Sequence, residues 1–424
     1  MGGPPRSVLL ARGLRALSSL GIEAGPWVER QRGRINRPVA AEVAALQAEL
    51  AATQAVAAAR QAGLDARLSA LEAGGGPRVL YALWHYPQIT EQYIETEIRA
   101  MQRRGAQVEV WSECDVASAY PPAARFHRGS LEDAIAAFRP DLVHVHWLAH
   151  AAPYAPAVAA AGLPLTVRAH GFETTQETIA ATLRIPNLAR IYLFPGMDAG
   201  AATGDPLLMV VPAAFESPLF VPSVAAKDRR LVVRTAAALA SKELDLFLDL
   251  AQRLPHFRFV LVIGTCLLRE GVPAEILAMN EARGRPAEIH VDLPREEVAK
   301  LMRQAAIYLH TALPPGQADA TPIGAPISIA EAMATGALVL VRDLPALRDY
   351  VGEAGRCYRD REKAAALIAG TAAWSEAEWR RAGHVAVAHA WSRHADDVAL
   401  APIHADWRGI AGRRAAAPAT REMA

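Results

Sequence analysis

Strand-like runs alternate with helix-like segments along most of this chain, and that alternation limits the folds open to it. "RVLYALW" (78–84), "QVEVWS" (107–112), "LVHVHWL" (142–148) and "LPLTVRAHG" (163–171) are short and rich in β-branched or aromatic residues. Segments such as "TEQYIETEIRAMQRRG" separate them. The same grammar restarts at "LVVRTAA" (231–237) and continues through "FRFVLVIG" (257–264), "EIHVDL" (288–293), "AAIYLHT" (305–311) and "ALVLVRD" (337–343). Such alternation implies βαβ units around a mostly parallel sheet. Two sets imply two sheets, and 424 residues are too many for one compact core. The proline-punctuated stretch 212–223 reads as the linker between them. The expected fold class is α/β, with two facing doubly wound Rossmann-like domains at 76–211 and 224–375. Ligands of such sheets bind beyond the carboxyl ends of the strands, so the cleft between the domains is the expected site.

Composition removes several function classes. Lys+Arg 45 nearly cancels Asp+Glu 44, so no basic field marks a nucleic-acid partner. Cys114, Cys266 and Cys357 are few and far apart, which fits a reducing compartment and no disulfide framework. No run of about 18 uncharged apolar residues predicts a transmembrane helix. Arginines interrupt the first apolar stretch, which makes a poor signal peptide. The expected location is cytoplasmic, or at the inner face of the membrane.

An extension precedes the first domain. Residues 1–37 carry seven arginines against Glu23 and Glu29, a basic tail or an amphipathic helix in peripheral contact with anionic lipid. Residues 38–75 are alanine-rich and predict a helix, with Gly63 its weak point. Val43, Leu46, Leu50, Ala57, Leu64 and Leu71 approximate a heptad seam, which Thr53, Arg60 and Arg67 spoil. A coiled coil joining copies of the chain through 39–72, a helix lying on its own globule, and a spacer all fit. "GGGP" at 74–77 reads as a joint.

Glu331, in "TPIGAPISIAEAMATGALVLV", is a lone carboxylate in an otherwise apolar or small segment. The pattern reads as loop, helix start, Gly336 stop and buried strand. The helix start offers free N–H groups and a positive dipole end to an anion, with Ser328 as capping residue. A carboxylate one turn in suits the hydroxyls of a ribose, as in dinucleotide sites. The same residue also fits a plain surface glutamate at the favoured end of a helix.

"GAPISIAEAMATGALVLVRDLPALRDYV" resembles the signature of the family-four glycosyltransferases of GT-B fold, roughly E-G-F-G-L-x-x-x-E-A-M-A-x-G-x-P-V-V. The resemblance covers about residues 78–410. "YPQITEQYIETEIRAMQRRGAQVEV" resembles the opening of a polysaccharide-synthesis branch, and "LVHVHWL" and "LPLTVRAHGFE" resemble two further strands. "VVPAAFESPLFVP" resembles the connection between domains, and "HAWSRHADDVALAPIHADW" the terminal helices, here 376–424, that cross back to the first domain.

The resemblance implies transfer of a hexose from a nucleotide diphosphate sugar to a glycan or lipid-linked acceptor, with retention of configuration and no cofactor. It assigns Glu331 to the ribose, Lys242 to the diphosphate and Gly324 to the donor sugar. It places the N–H groups of Ile327 and Ser328 on the diphosphate and His170 beside the anomeric carbon. Glu91 and Tyr93 fall on the acceptor side. No Asp-x-Asp occurs, which agrees with metal independence. Three positions depart from the pattern. Ile323 replaces the first glutamate of E-x7-E, Pro326 has no N–H to give, and Ala237 stands where the phosphate arginine belongs, with Arg234 close but on another register. Asp319 or Thr321 are candidates to replace the lost glutamate. These departures motivate a second reading, a non-catalytic GT-B scaffold in a glycan-assembly complex. A sugar-nucleotide epimerase is a third. His144 and His146 share one strand face, as a metal pair or as cleft and packing residues. The tryptophans at 374, 379, 391 and 407 read as packing for the terminal helices.

Overall fold

The computed structural model describes residues 25–416 except 73–74, 116–120, 172, 226, 267–270, 318–319 and 321–324, with the side chains of 25–36, 115 and 415–416 left undescribed. Residues 1–24, with most of the expected basic tail, lie outside it, as do Asp319, Thr321, Ile323 and Gly324.

Helix α1 (Gly25–Glu72) leads into a first set of elements: β1 (Arg78–Tyr86), α2 (Gln92–Arg103), β2 (Gln107–Asp115), β3 (Arg125–His127), α3 (Leu131–Phe138), β4 (Leu142–His146), α4 (Leu148–Ala160), β5 (Leu165–Arg168), α5 (Gln176–Thr182), β6 (Leu188–Leu193) and β7 (Leu208–Val210). A second set follows: β8 (Asp228–Ala237), α6 (Leu244–Arg253), β9 (Arg258–Gly264), α7 (Val272–Ala282), β10 (Ala287–Val291), α8 (Arg295–Gln304), β11 (Ala305–His310), α9 (Ile327–Ala334), β12 (Leu338–Arg342), α10 (Pro345–Val351), β13 (Gly355–Tyr358) and α11 (Arg361–Gly370). The chain closes with α12 (Glu376–Arg393), α13 (Asp396–Ala399) and α14 (Ala401–Ala416).

The strands form two sheets, ordered β3-β2-β1-β4-β5-β6-β7 and β10-β9-β8-β11-β12-β13, and the pairings are parallel. The apolar run "LVLV" of β12 and the Arg342 that follows it are buried along their whole length, as in a parallel strand covered on both faces. This is the α/β architecture of two Rossmann-like domains with an N-terminal helix that the alternation implied.

The terminal helices tie the two halves together. Trp407 of α14 packs against Tyr81 and His144 of the first sheet, while Trp391 of α12 donates its indole N–H to the Ala334 carbonyl at the end of α9. Both indoles are buried. Asp406 on α14 takes Arg190 of β6 in a two-armed pair at 2.8 and 2.9 Å.

The extension differs from the expected boundaries. The helix does not begin at residue 38 but at Gly25, running through Pro38 to Glu72. Proline removes one helical N–H and disfavours the interior, which is why the sequence suggested a break there. The leucine seam faces away from the body of the chain. Ala45, Ala52 and Ala59 are buried against α12, while Val43, Leu46, Leu50 and Leu64 are exposed. Small side chains let two helix backbones approach closely, so the alanines carry the packing. Gly63 belongs to that face: a Cβ there would come within 2.5 Å of Asp397, so it marks a close approach to α13. Among the described residues no helix is long and apolar enough to cross a membrane.

Candidate functional site

In each sheet the strand order reverses once, between β1 and β4 and between β8 and β11. Chain segments leave these strands in opposite directions and open a crevice at the carboxyl ends. A cavity of about 420 Å³ lies there, lined by both halves. That volume is enough for a small-molecule ligand.

The second half contributes positive charge. Arg234 projects from β8 and is almost wholly buried; it donates to the carbonyls of Thr235 and Thr311 and to the Tyr308 hydroxyl. Its Nε has no acceptor, and no carboxylate pairs with it among the described residues. Lys242 enters from the turn before α6, and its ammonium has no hydrogen-bond partner among the described residues. Burial, with Arg234 adding repulsion, lowers that ammonium to about 8. Burial beside these two cations also holds His310 well below the ordinary imidazole range, so it stays neutral. A buried cation beside a half-buried one, with no counter-charge among the described residues, is costly, and an anion would relieve both. The backbone at the start of α9 faces the same cavity through Ile327 and Ser328, whose N–H groups precede the first helical acceptor. Ser328 is not the helix cap: Pro326 holds that position, and no side chain caps it.

Glu331 of α9 also lines the cavity, but it is buried, and Arg295 at the start of α8 sits 3.0 Å from it. Burial raises its carboxyl pKa and Arg295 offsets part of that rise. Arg295 reaches further, to Glu216 at 3.3 Å and to the Thr96 hydroxyl at 3.0 Å. Arg99 of α2 holds the other side of Glu216. Elements of both halves therefore meet on one guanidinium.

The first half contributes a chain of hydrogen bonds. His170, just past β5, lies 3.0 Å from His146, whose other ring nitrogen is 3.3 Å from Glu97 of α2. Glu97 also accepts from Tyr81 at 3.0 Å and lies 3.6 Å from Arg168. Burial alone would raise the Glu97 carboxyl, but the histidines and Arg168 around it hold it well below the carboxylate range. Burial, helped by His146 and Arg168, keeps His170 neutral. Glu97, His144 and His146 are the one group among the described residues with ligand atoms close enough for a metal ion. The adjoining guanidinium and the hydrogen bonds already made fit an internal relay better than a cation site. If His146 donates its Nε2 proton to Glu97, its Nδ1 accepts from His170 Nε2. Tyr93 and Trp147 flank the His170 ring at 4.8 and 4.1 Å. Glu173 holds the loop after His170 by accepting from the N–H groups of Leu148 and Ala149 at the start of α4.

The expected residues thus divide. Lys242, His170, Tyr93, Ile327, Ser328 and Glu331 share one cavity. Glu91 does not line it and pairs with His85 at 3.3 Å. Gly324 lies outside the described residues. Sequence reasoning missed Glu97, Arg168 and Arg295. The helical spacing of Ile94, Ile98 and Met101 in "YIETEIRAM" offered a signal for Glu97, a charge on the apolar face of α2.

No protein-family model matches this sequence, and no curated protein does. Among solved structures, the chain is similar to Anabaena Alr3699/HepE in complex with UDP-glucose, at 16% identity over 80% of this chain and 100% of that one, with a TM-score of 0.59. It is similar to sucrose-phosphate synthase from Thermosynechococcus elongatus, at 13% identity over 80% and 98%, with a TM-score of 0.56. It is also similar to the lipopolysaccharide outer core galactosyltransferase WaaB in its apo form, at 12% identity over 80% and 99%, with a TM-score of 0.51. At such identities the likeness is one of architecture, and by its two facing parallel sheets this chain has the GT-B fold.

Proposed function

We propose that this chain is a glycosyltransferase of the family-four type. It moves a hexose from a nucleotide diphosphate sugar to a glycan or lipid-linked acceptor, with retention of configuration and without a metal ion. The observation that carries the reading is the uncompensated pair Arg234 and Lys242 facing the start of α9 across one cavity. A diphosphate is the anion that suits two cations and a helix start together. UDP and UDP-glucose are bound by a neighbour of the same fold, which supports that class of donor. Arg234 takes the part of the arginine missing at Ala237, because its guanidinium enters the same cavity from farther back on β8.

In this reading the bond from the anomeric carbon to the leaving phosphate oxygen breaks, and the acceptor oxygen bonds on the same face. The acceptor proton passes to the departing diphosphate. Charge grows on that diphosphate, and Lys242, Arg234 and the α9 N–H groups stabilise it; each such contact supplies about 3 kcal/mol. His170 faces the sugar and is held by the relay behind it. Glu331 takes the ribose hydroxyls, sharing its carboxylate with Arg295.

Ligand-observed NMR against a panel of nucleotide diphosphate sugars, followed by an assay for nucleotide release with candidate acceptors, tests this. Binding of one donor that Lys242→Met and Glu331→Ala both weaken is the expected result. The pairing of Glu331 with Arg295 favours a second reading, a non-catalytic scaffold in which that carboxylate serves the contact between the halves. Failure of every donor to bind would decide for it.

A further inference from the structure

Trp147 joins β4 to α4 with φ +79°, a backbone region that residues carrying a Cβ rarely adopt. One carboxylate holds that turn. Glu173 accepts from the N–H groups of Leu148 and Ala149, the two residues that follow, at 2.7 and 3.0 Å, and from the N–H of His170 at 3.1 Å. The clamp sets the Trp147 indole in the cavity wall, 4.1 Å from the His170 ring. Backbone strain kept at such a place points to a side chain whose position matters.

The aromatic surface continues out of the cavity. In the first turn of α4, His150 stacks on Trp84 at 5.8 Å and on Tyr154 at 5.9 Å. Trp84 and His150 are half-buried, and Trp84 stands near the carboxyl end of β1, on the crevice where the strand order reverses. Two carboxylates border these rings. Glu91 pairs with His85, which lies against Trp84, and the exposed Glu113 of β2 takes the Tyr154 hydroxyl at 2.7 Å. The charged groups that act on His150 are these two and His85, and burial lowers the His150 imidazole below its ordinary value, so that ring stays neutral. The cations Arg234 and Lys242 belong to the other half, and the guanidinium of Arg168 is paired with Glu97.

Flat rings edged by carboxylates suit a sugar. The C–H face of a hexose packs on an electron-rich ring, and its hydroxyls donate to the carboxylates. A phosphate would meet the same carboxylates as like charges. We propose that Trp147 and Trp84 floor an acceptor subsite for consecutive sugar rings of an uncharged glycan. The reacting sugar lies over Trp147 beside His170, and the sugars behind it run outward along Trp84. The inference rests on the transferase reading and chooses between its two acceptors: the glycan chain fits, and a short lipid-linked acceptor, with phosphate next to the reacting sugar, does not.

An array of immobilised oligosaccharides, uncharged hexose chains beside phosphorylated and uronic-acid chains, is probed with the full-length protein. Binding to an uncharged chain is the expected result. Trp84→Ala and Trp147→Leu should each weaken it about tenfold or more, and Trp147→Phe should keep most of it. Donor affinity of Trp84→Ala, read by ligand-observed NMR, should hold, which also shows that the variant is folded. Glu113→Arg, at an exposed position, should move the preference toward phosphorylated chains. Preference of the unaltered protein for phosphorylated or uronic-acid chains overturns the proposal. So does an uncharged chain whose binding Trp84→Ala and Trp147→Leu leave unchanged, and so does binding to no chain at all. Uncharged chains bound through both tryptophans, with no donor bound, would keep the subsite and remove the transferase reading, so the two failures are told apart.

Discussion

The guanidinium of Arg295 lies 3.0 Å from the carboxylate of Glu331, each buried, and the same guanidinium reaches Thr96 in the other half of the molecule. In the proposed reading a ribose at Glu331 would meet a carboxylate already paired with Arg295, so donor binding and the contact between the halves would share one side chain.

Removing Arg295 strands the buried carboxylate of Glu331 and leaves Glu216 to Arg99 alone. Arg295→Ala should cost about 3–5 kcal/mol of stability. Glu331→Ala should cost less, because Arg295 keeps Glu216 and Thr96. The double variant should recover about 0.5–3 kcal/mol relative to the sum of the two. Urea denaturation of the four chains measures this, and additive losses would show that the pair is not coupled.

On the proposed reading Lys242 sets a pH limit on donor binding. Its ammonium is lowered to about 8, so it is charged at neutral pH and loses its proton as the pH rises through that value. A diphosphate prefers the charged form and raises the pKa in the complex. Affinity should be flat below about pH 8 and fall by up to about tenfold per unit above it. Calorimetric titration of the donor between pH 6.5 and 9.5 should show this break, and Lys242→Met should lower the affinity and erase the break. Binding is the better readout than stability here, because Lys227, lowered to about 7, titrates elsewhere in the fold.

On the proposed reading His146 acts through His170. His146→Phe keeps the ring volume and the packing against Tyr81 but removes both hydrogen bonds of the relay. A misplaced His170 should lower kcat by about 10²-fold, with donor affinity nearly unchanged. Equal losses in kcat and in donor affinity would mean that His146 serves only the packing of the cleft.

Gly336 ends α9 with φ +87°, its own N–H bonded to the Met333 carbonyl and that of Ala337 to Ala332. A Cβ there would also meet Val224 at 2.7 Å. Gly336→Ala should cost at least about 1–2 kcal/mol, seen as a lower Tm.

Local pattern carried much of this molecule into the sequence. The runs "RVLYALW" and "ALVLVRD" read as buried parallel strands because their chemistry is local, and Gly336 read as a helix stop for the same reason. Glu331 was legible as an anomaly in an apolar segment, but its partner was not. Arg295 belongs to another βα unit, and only the fold brings the two together. Arg234 was set aside on spacing, since a motif counts residues while a long side chain can reach the same space from farther back. The leucine seam of α1 left its role open for a related reason: seam periodicity is visible in sequence, but which face docks depends on the neighbour, and α12 takes the alanines.

The contact between α1 and α12 has a practical reach. α12 packs on α9, the helix that carries Glu331, so α1 is the outer layer of a three-helix stack that backs the cavity. Trimming the chain at the glycine joint to isolate the two-sheet body would strip that layer and bare the side of α12 that Ala45, Ala52 and Ala59 now cover. The shortened protein would come out of solution more readily, and its cavity would soften from behind although no lining residue had been touched.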